Sequence, residues 1–199
     1  MYNSPEVSTG YTLLELMVTV TIAGILMGVA VPSFTSIISS NRLTTYANEL
    51  VTALNFARSE AIKRGQDVVV RKTGTNWEDG WQVFVDIDRS TPAKQNVLDA
   101  GDIVLRIYSK LSDSFTLRGN NNFTNFIRYQ PDGTSSNIGS FVICDNSDGN
   151  NIPEAYTSKL ITVNILGRPH LGIDSNLNHI PEKDGLLVTD IVSCTVSPF

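Results

Sequence analysis

The sequence predicts an α+β fold in which a long N-terminal helix, first transmembrane and then amphipathic, packs on an antiparallel β-sheet domain. Three observations carry this. Residues 13–31 are almost wholly apolar. Leu43, Ala47, Leu50, Leu54, Ala57 and Ala61 then recur at alternating steps of four and three, the signature of one helix face. Beyond Gly65 the texture changes to short β-like runs separated by Gly, Asn, Asp and Pro.

The nineteen residues 13–31 would span about 28 Å as a helix, enough for one bilayer crossing. A secretory signal places its small cleavage residue after the apolar stretch; here Gly10 precedes it, so cutting after Gly10 would retain the anchor. Glu15 is the polar interruption that matters. An ionised carboxylate near the membrane core costs roughly 2.5–3.5 kcal/mol and calls for a partner. Cleavage between Gly10 and Tyr11 would create an α-amino group one helical turn from Glu15, and a neighbouring subunit's amine could approach equally closely. Gly24 and Gly28 have the GxxxG spacing that lets helices approach, read here as local flexibility rather than as a dimer code.

Pro32 lacks an N–H and its ring clashes with the preceding turn, so the helix should kink or loosen there. The amphipathic helix that follows should stop near Gly65, after Lys63 and Arg64, whose charges suit the negative end of the helix dipole. Strands are expected at 67–72, 81–86, 103–108, 115–118, 126–129, 141–144, 160–166 and 191–196, forming an antiparallel sheet covered by the amphipathic helix. Trp81, Val83 and Val85 alternate on one strand face and belong to the core.

The chain of 199 residues carries 15 Lys and Arg against 20 Asp and Glu. Without Glu6 and Glu15 of the first 32 residues the balance is 15 against 18, or −3. That is not the electrostatic footprint of non-specific nucleic-acid binding. The two cysteines, Cys144 and Cys194, have no metal-ligand neighbours in the sequence. With a membrane-targeting N-terminus the expected compartment is the periplasm, where a disulfide persists, with two buried free thiols as the alternative. Closing a loop of roughly 50 residues would contribute on the order of 4 kcal/mol.

Gly10-Tyr11-Thr12-Leu13-Leu14-Glu15 resembles the type IV prepilin motif, and three further stretches resemble the GspH/FimT branch of that family. These are Ala57-Arg58-Ser59-Glu60-Ala61-Ile62-Lys63-Arg64-Gly65, Asp79-Gly80-Trp81-Gln82-Val83-Phe84-Val85-Asp86 and Gly167-Arg168-Pro169-His170. The resemblance implies a leader at 1–10, a filament-core helix at 11–32, an amphipathic helix at 33–65 and a β domain with a C-terminal disulfide at 66–199. It further implies cleavage by the prepilin peptidase between Gly10 and Tyr11, N-methylation of Tyr11, recruitment through Glu15 and the family's proline at Pro32. The leader departs from the family in carrying Glu6 and no Lys or Arg. The implied function is that of a minor pilin. It would be held in the inner membrane with a periplasmic domain, and would then prime assembly at the pilus tip with other minor pilins, the major pilin and the assembly platform. A GspH-like pseudopilin of type II secretion and a FimT-like DNA-binding minor pilin are the alternatives.

No catalytic constellation and no cofactor motif is present: the two histidines, His170 and His179, stand apart from any G-x-S-x-G, P-loop or HExxH pattern. No enzyme activity and no metal site is expected. His179 reads as a solvated loop histidine. Asp174, Asn176 and Asn178 alternate as calcium-loop ligands do but lack the glycine and glutamate of an EF-hand. Asp86, Asp88, Asn96, Asp99 and Asp102 read as a solvated acidic loop. Arg168 and His170 occupy a motif that is Gly-Arg-x-Arg in DNA-binding relatives. Histidine in the second place lacks the fixed phosphate-binding charge, so a subunit contact is the leading reading and nucleic acid the weaker one.

Overall fold

The computed structural model describes residues 10–184 and 187–197. Apart from Gly10, the leader assigned to 1–10 therefore lies outside the described residues. Helix α1 covers Leu13–Arg64, and the chain divides into one unit up to Ser39 and a second from Ser40 onward. Helical backbone continues through Pro32, whose ring nitrogen leaves the carbonyl of Gly28 without its intrahelical donor. In the first unit the large apolar side chains from Leu13 to Ile38, Phe34 and Ile37 among them, are exposed, and none of the apolar window is buried within the protein.

In the second unit the helix ends at Arg64, where Gly65 takes a left-handed φ of 63° and its N–H donates to the Ala61 carbonyl at 2.9 Å. Among the described residues ten strands follow: β1 (Val68–Lys72), β2 (Trp81–Val85), β3 (Ile103–Tyr108), β4 (Phe115–Gly119), β5 (Phe126–Tyr129), β6 (Gly139–Asp145), β7 (Ser158–Val163), β8 (Pro169–Leu171), β9 (Glu182–Asp184) and β10 (Leu187–Asp190). They form two four-stranded antiparallel sheets, in the orders β3-β2-β1-β5 and β4-β6-β7-β8, and a two-stranded ribbon of β9 and β10. The expected single sheet is thus two, because β1 pairs with β5 while β4 pairs with β6. Sequence runs disclose strands but not their partners.

Both sheets close on the same helix stripe. Leu43, Ala47, Leu50, Ala53, Leu54, Ala57 and Ala61 are buried against Val68, Val70, Ile127 and Tyr129 of the first sheet and Phe115, Leu117, Phe141, Ile143 and Ile161 of the second. Aromatic edges lock the layers: Tyr46 of α1 meets Phe115 at 5.1 Å, and Trp77 meets Phe141 at 4.9 Å. The Trp77 indole N–H donates to the buried Phe123 carbonyl at 2.8 Å, so its polar edge is satisfied inside the core.

The far face of the second sheet holds a smaller core of Val142, Cys144, Leu160, Ile191 and Cys194. Residues 191–196, expected as a strand, are irregular. The Cys144–Cys194 bond (S–S 2.06 Å, Cα–Cα 5.8 Å) and the Cys194 N–H donated to the Asn151 carbonyl hold this segment where a ladder would otherwise be needed. Asp86, assigned to a solvated loop, is buried. It accepts from Arg89 and from the Asn96 N–H at 2.8 Å, and burial outweighs both in raising its pKa. Asp88, Asn96, Asp99 and Asp102 are half-buried, and hydrogen bonds from Lys94 and Ser90 hold the Asp88 pKa down to about 2.

Cys194→Ser with Cys144→Ser should lower the unfolding free energy by about 3–4 kcal/mol. Urea unfolding followed by the fluorescence of the buried Trp77 and Trp81 measures the change, and an unchanged midpoint would remove the disulfide from the stability account.

Candidate functional site

Candidate determinants lie at the start of α1 and at the turn between β7 and β8. Thr12 is the residue before the helix, and its side chain accepts the Glu15 N–H at 3.2 Å. In return Glu15 Oε2 accepts from the Thr12 N–H and hydroxyl, each at 3.4 Å. This is a reciprocal capping box, and Thr-x-x-Glu is its sequence signature. The sequence reading gave Glu15 an assembly role but missed Thr12. The signal was present and was obscured by the apolar run that follows. Tyr11 is exposed, and Gly10 has open space around it.

At the other site Gly167 is buried while Arg168 and His170 are exposed. Gly167 closes a turn by donating its N–H to the Asn164 carbonyl at 2.9 Å, and the Asn164 side chain accepts the Arg168 N–H at 3.1 Å. Ile165 and Leu166 form the tip, 50% and 54% exposed, so Arg168 stands beside two solvent-facing aliphatic groups. Gly167 is required twice over. Its φ is +72°, and a Cβ there would sit 2.4 Å from the Gly133 carbonyl oxygen. Arg58 ties this turn to the helix, its Nε–H donating to the carbonyls of Gly133 (3.0 Å) and Leu166 (3.2 Å). The Ala57–Gly65 and Gly167–His170 motifs, far apart in sequence, therefore meet at one junction.

The remaining loop residues bond to one another. His179 stacks on Tyr156 at 4.0 Å and approaches Asp174 at 3.7 Å. Buried Glu182 accepts the backbone N–H groups of Ser175 and Asn176, while Asn176 and Asn178 donate side-chain amides to Asp190. Among the described residues, no group of three or more His, Cys, Asp or Glu side chains converges as metal ligands would.

A family model described as Type II transport protein GspH matches residues 46–167, and one described as the prokaryotic N-terminal methylation motif matches residues 8–31. Two relatives, each a fimbrial protein of Pseudomonas aeruginosa, are 31% identical over 107 residues, or 53% of this chain and 69% of theirs. The fold is similar to the type IV minor pilin FimU of Pseudomonas aeruginosa, at 22% identity and a TM-score of 0.49 over 67% of this chain and 90% of that one. It is also similar to the minor pseudopilin EpsH from the Type 2 Secretion System of Vibrio cholerae, at 14% identity and a TM-score of 0.44 over 65% and 95%. An exposed apolar helix followed by a sheet domain, with the methylation motif at its start, defines a membrane-anchored structural subunit of the pilin type, not an enzyme. The chain belongs to the GspH family of minor pilins and pseudopilins.

Two expectations follow. Gly167→Ala should cost about 2 kcal/mol or more of stability, read from the urea midpoint, because the turn cannot relax without moving the Gly133 strand connection. Glu49, half-buried on α1, has its pKa raised above 4.5 by burial. A raised carboxylate pKa contributes stability that is present below the unfolded value and lost as pH rises through the folded one. Glu49→Gln should therefore be more stable than the parent at neutral pH, with the gap closing as pH falls to 4.5. Parallel urea titrations at the two pH values check the sign.

Proposed function

We propose that this chain is a minor pilin. Once cut between Gly10 and Tyr11, it joins other pilins to prime a type IV pilus and remains in its tip complex. The observation that carries this reading is the carboxylate of Glu15 in the first turn of α1, the one charge in a predominantly apolar, exposed helical stretch that runs to Ile38. Such a helix needs an apolar environment along its whole surface, and Glu15 needs a cation. In the uncut chain Thr12 occupies the carboxylate as a cap. Cleavage supplies the Tyr11 amine within the same turn, so Glu15 can exchange its neutral cap for a charge, its own or a neighbour's. The residues of the motif match support N-methylation of Tyr11 by the same processing machinery.

The proposal includes the division into a leader (1–10), an inner-membrane and filament-core helix (11–32), an amphipathic helix (33–65) and a periplasmic domain (66–199), with Pro32 as the point of flexure. The turn at Arg168 serves as a subunit contact, since its neighbours Ile165 and Leu166 offer aliphatic surface rather than further positive charge. A pseudopilin role in protein secretion is the second reading, favoured by the family model that spans residues 46–167.

Deletion of the gene should leave surface pili sparse or absent in shearing assays, with protein secretion and transformation assayed in parallel. Normal pili with failed secretion would move the assignment to the second reading. Complementation with Gly10→Val should yield an uncut form, and with Glu15→Val a cut form that is not recovered in filaments; recovery of either in pili would refute the assigned role of that residue.

A further inference from the structure

The far face of the second sheet carries a cavity of about 270 Å³ that no part of the pilin reading uses. Ser158 and Leu160 alternate on β7, so both side chains leave the same face, and Leu160 belongs to the core packed there. They make the floor with Pro181, and all three are buried. Exposed Tyr156, Leu171 and His179 make the rim. Gly172 is the reason that the wall closes. Its N–H donates to the Leu160 carbonyl at 2.7 Å, and a Cβ there would lie 2.7 Å from Leu160 Cβ and 3.2 Å from Pro181 Cβ. Residues 173–181 therefore fold down onto β7 with no side chain at that point.

Two polar atoms at this cavity are left over. Ser158 is 2% exposed, and its hydroxyl has no hydrogen-bond partner among the described residues. Asp174 also lines the cavity. Its Oδ2 accepts the His179 N–H at 2.8 Å and lies 3.7 Å from His179 Nδ1, whereas Oδ1 is buried without a partner among the described residues. Buried polar atoms are costly when unpaired, so two at one cavity point to a group that completes them. The neighbouring carboxylates are already bonded: Glu182 accepts backbone N–H groups of Ser175 and Asn176, and Asp190 accepts the amides of Asn176 and Asn178. Among the described residues neither Lys nor Arg pairs with any of the three. By the alternation of β7, Lys159 leaves the opposite face of the sheet from Ser158. The field at the cavity is negative and favours a cation over a neutral hydroxyl compound.

The rim and walls narrow the cation. Tyr156 stacks on His179 at 4.0 Å and is 60% exposed, which leaves aromatic surface for a positive charge. Both residues hold left-handed backbone, at φ 67° and 68°, and the Tyr156 N–H donates to the His179 carbonyl at 3.1 Å, so the two segments are tied together at the rim. Leu160, Leu171 and Pro181 supply aliphatic walls, which suit a hydrocarbon stem and not a hydrated metal ion. The volume lies at the low end for ligand cavities and fits a short chain.

We propose that this cavity binds a primary alkylammonium, with the ammonium on Asp174 Oδ1 and the Ser158 hydroxyl and the stem between Leu160, Leu171 and Pro181. An ammonium has three donors and no acceptor, the complement of two open acceptors beside a π face. A lysine side chain and a free aliphatic diamine both present this group. The site makes no use of Glu15 or Arg168, so it stands or falls independently of the filament reading.

The test uses the full-length chain in a non-ionic detergent and follows by NMR the imidazole C–H signals of its two histidines. Pentylammonium should shift the His179 signals saturably, with half-saturation on the order of 1 mM for so small a ligand, while those of His170 stay in place. Pentanol, which has the stem without the charge, should leave both unmoved. Asp174→Asn keeps an oxygen for the His179 N–H but removes the charge, and should weaken binding roughly ten-fold. Ser158→Ala leaves the loop and its charge intact and should weaken it about three-fold. No saturable shift, equal shifts at both histidines, a response to pentanol as strong as to pentylammonium, or unchanged binding in Asp174→Asn or Ser158→Ala would overturn the proposal. Saturation of the same signals by calcium ions at lower concentration would overturn it in favour of a metal site. Should Asp174→Asn lose its dispersed spectrum, Ser158→Ala and the pentanol comparison decide. Cadaverine and Nα-acetyl-lysine methylamide then identify the source: tighter binding of the first assigns a free diamine, and tighter binding of the second a lysine of a partner protein.

Discussion

Leu43, Ala47, Leu50, Ala53, Leu54, Ala57 and Ala61 make one stripe with at most 2% exposure, and the globular unit is arranged around it. Neither four-stranded sheet buries its inner face on the other alone. Each closes on the helix, which explains why four of the seven stripe residues are alanines. Small side chains let two layers of large ones, Trp77, Phe115, Tyr129 and Phe141 among them, approach one helix at once. The apolar area this stripe removes from water is the term that makes the domain a single cooperative core.

The same helix has a second obligation on its opposite side. A side chain that faces water normally offsets its exposure with charge, yet between Leu16 and Ala57 the stalk offers threonine, asparagine and serine, and two lone charges of opposite sign, Arg42 and Glu49. In the first unit the surface is predominantly apolar, with Glu15 tied to Thr12. Both stretches are unfinished as isolated surfaces. That is the physical sense in which the chain is a building block: its stability is a property of the folded domain, whereas the free energy of its helix surface is settled only by what surrounds it.

The junction of Arg58, Gly133 and Gly167 shows how local and distant constraints combine. A guanidinium on the helix satisfies two carbonyls that belong to separate turns, and the two glycines let those turns lie close enough to share it. Rigid positioning of this kind gives the neighbouring Arg168, Ile165 and Leu166 a fixed presentation on a short hairpin tip. The disulfide between Cys144 and Cys194 does comparable work on the far face of the second sheet, where an irregular segment lacks ladder hydrogen bonds to hold it.

Much of this was legible in the residues themselves. The apolar run with Glu15, the periodic stripe from Leu43 to Ala61, the stop at Gly65 and the alternation of Trp81, Val83 and Val85 are local patterns, and the period of a helix or strand is written in its own side chains. Even the capping box was legible, as Thr12 and Glu15. Tertiary structure alone decided the rest. It chose β5 rather than β4 as the partner of β1, divided the strands between two sheets, and left residues 191–196 irregular under a covalent tether. It also buried Asp86 against Arg89. Each of these depends on which distant segment arrives alongside, and the hydrogen-bonding edge of a strand is the same whatever its sequence. Local sequence therefore set what each segment would become, and packing around one helix stripe set where each would go.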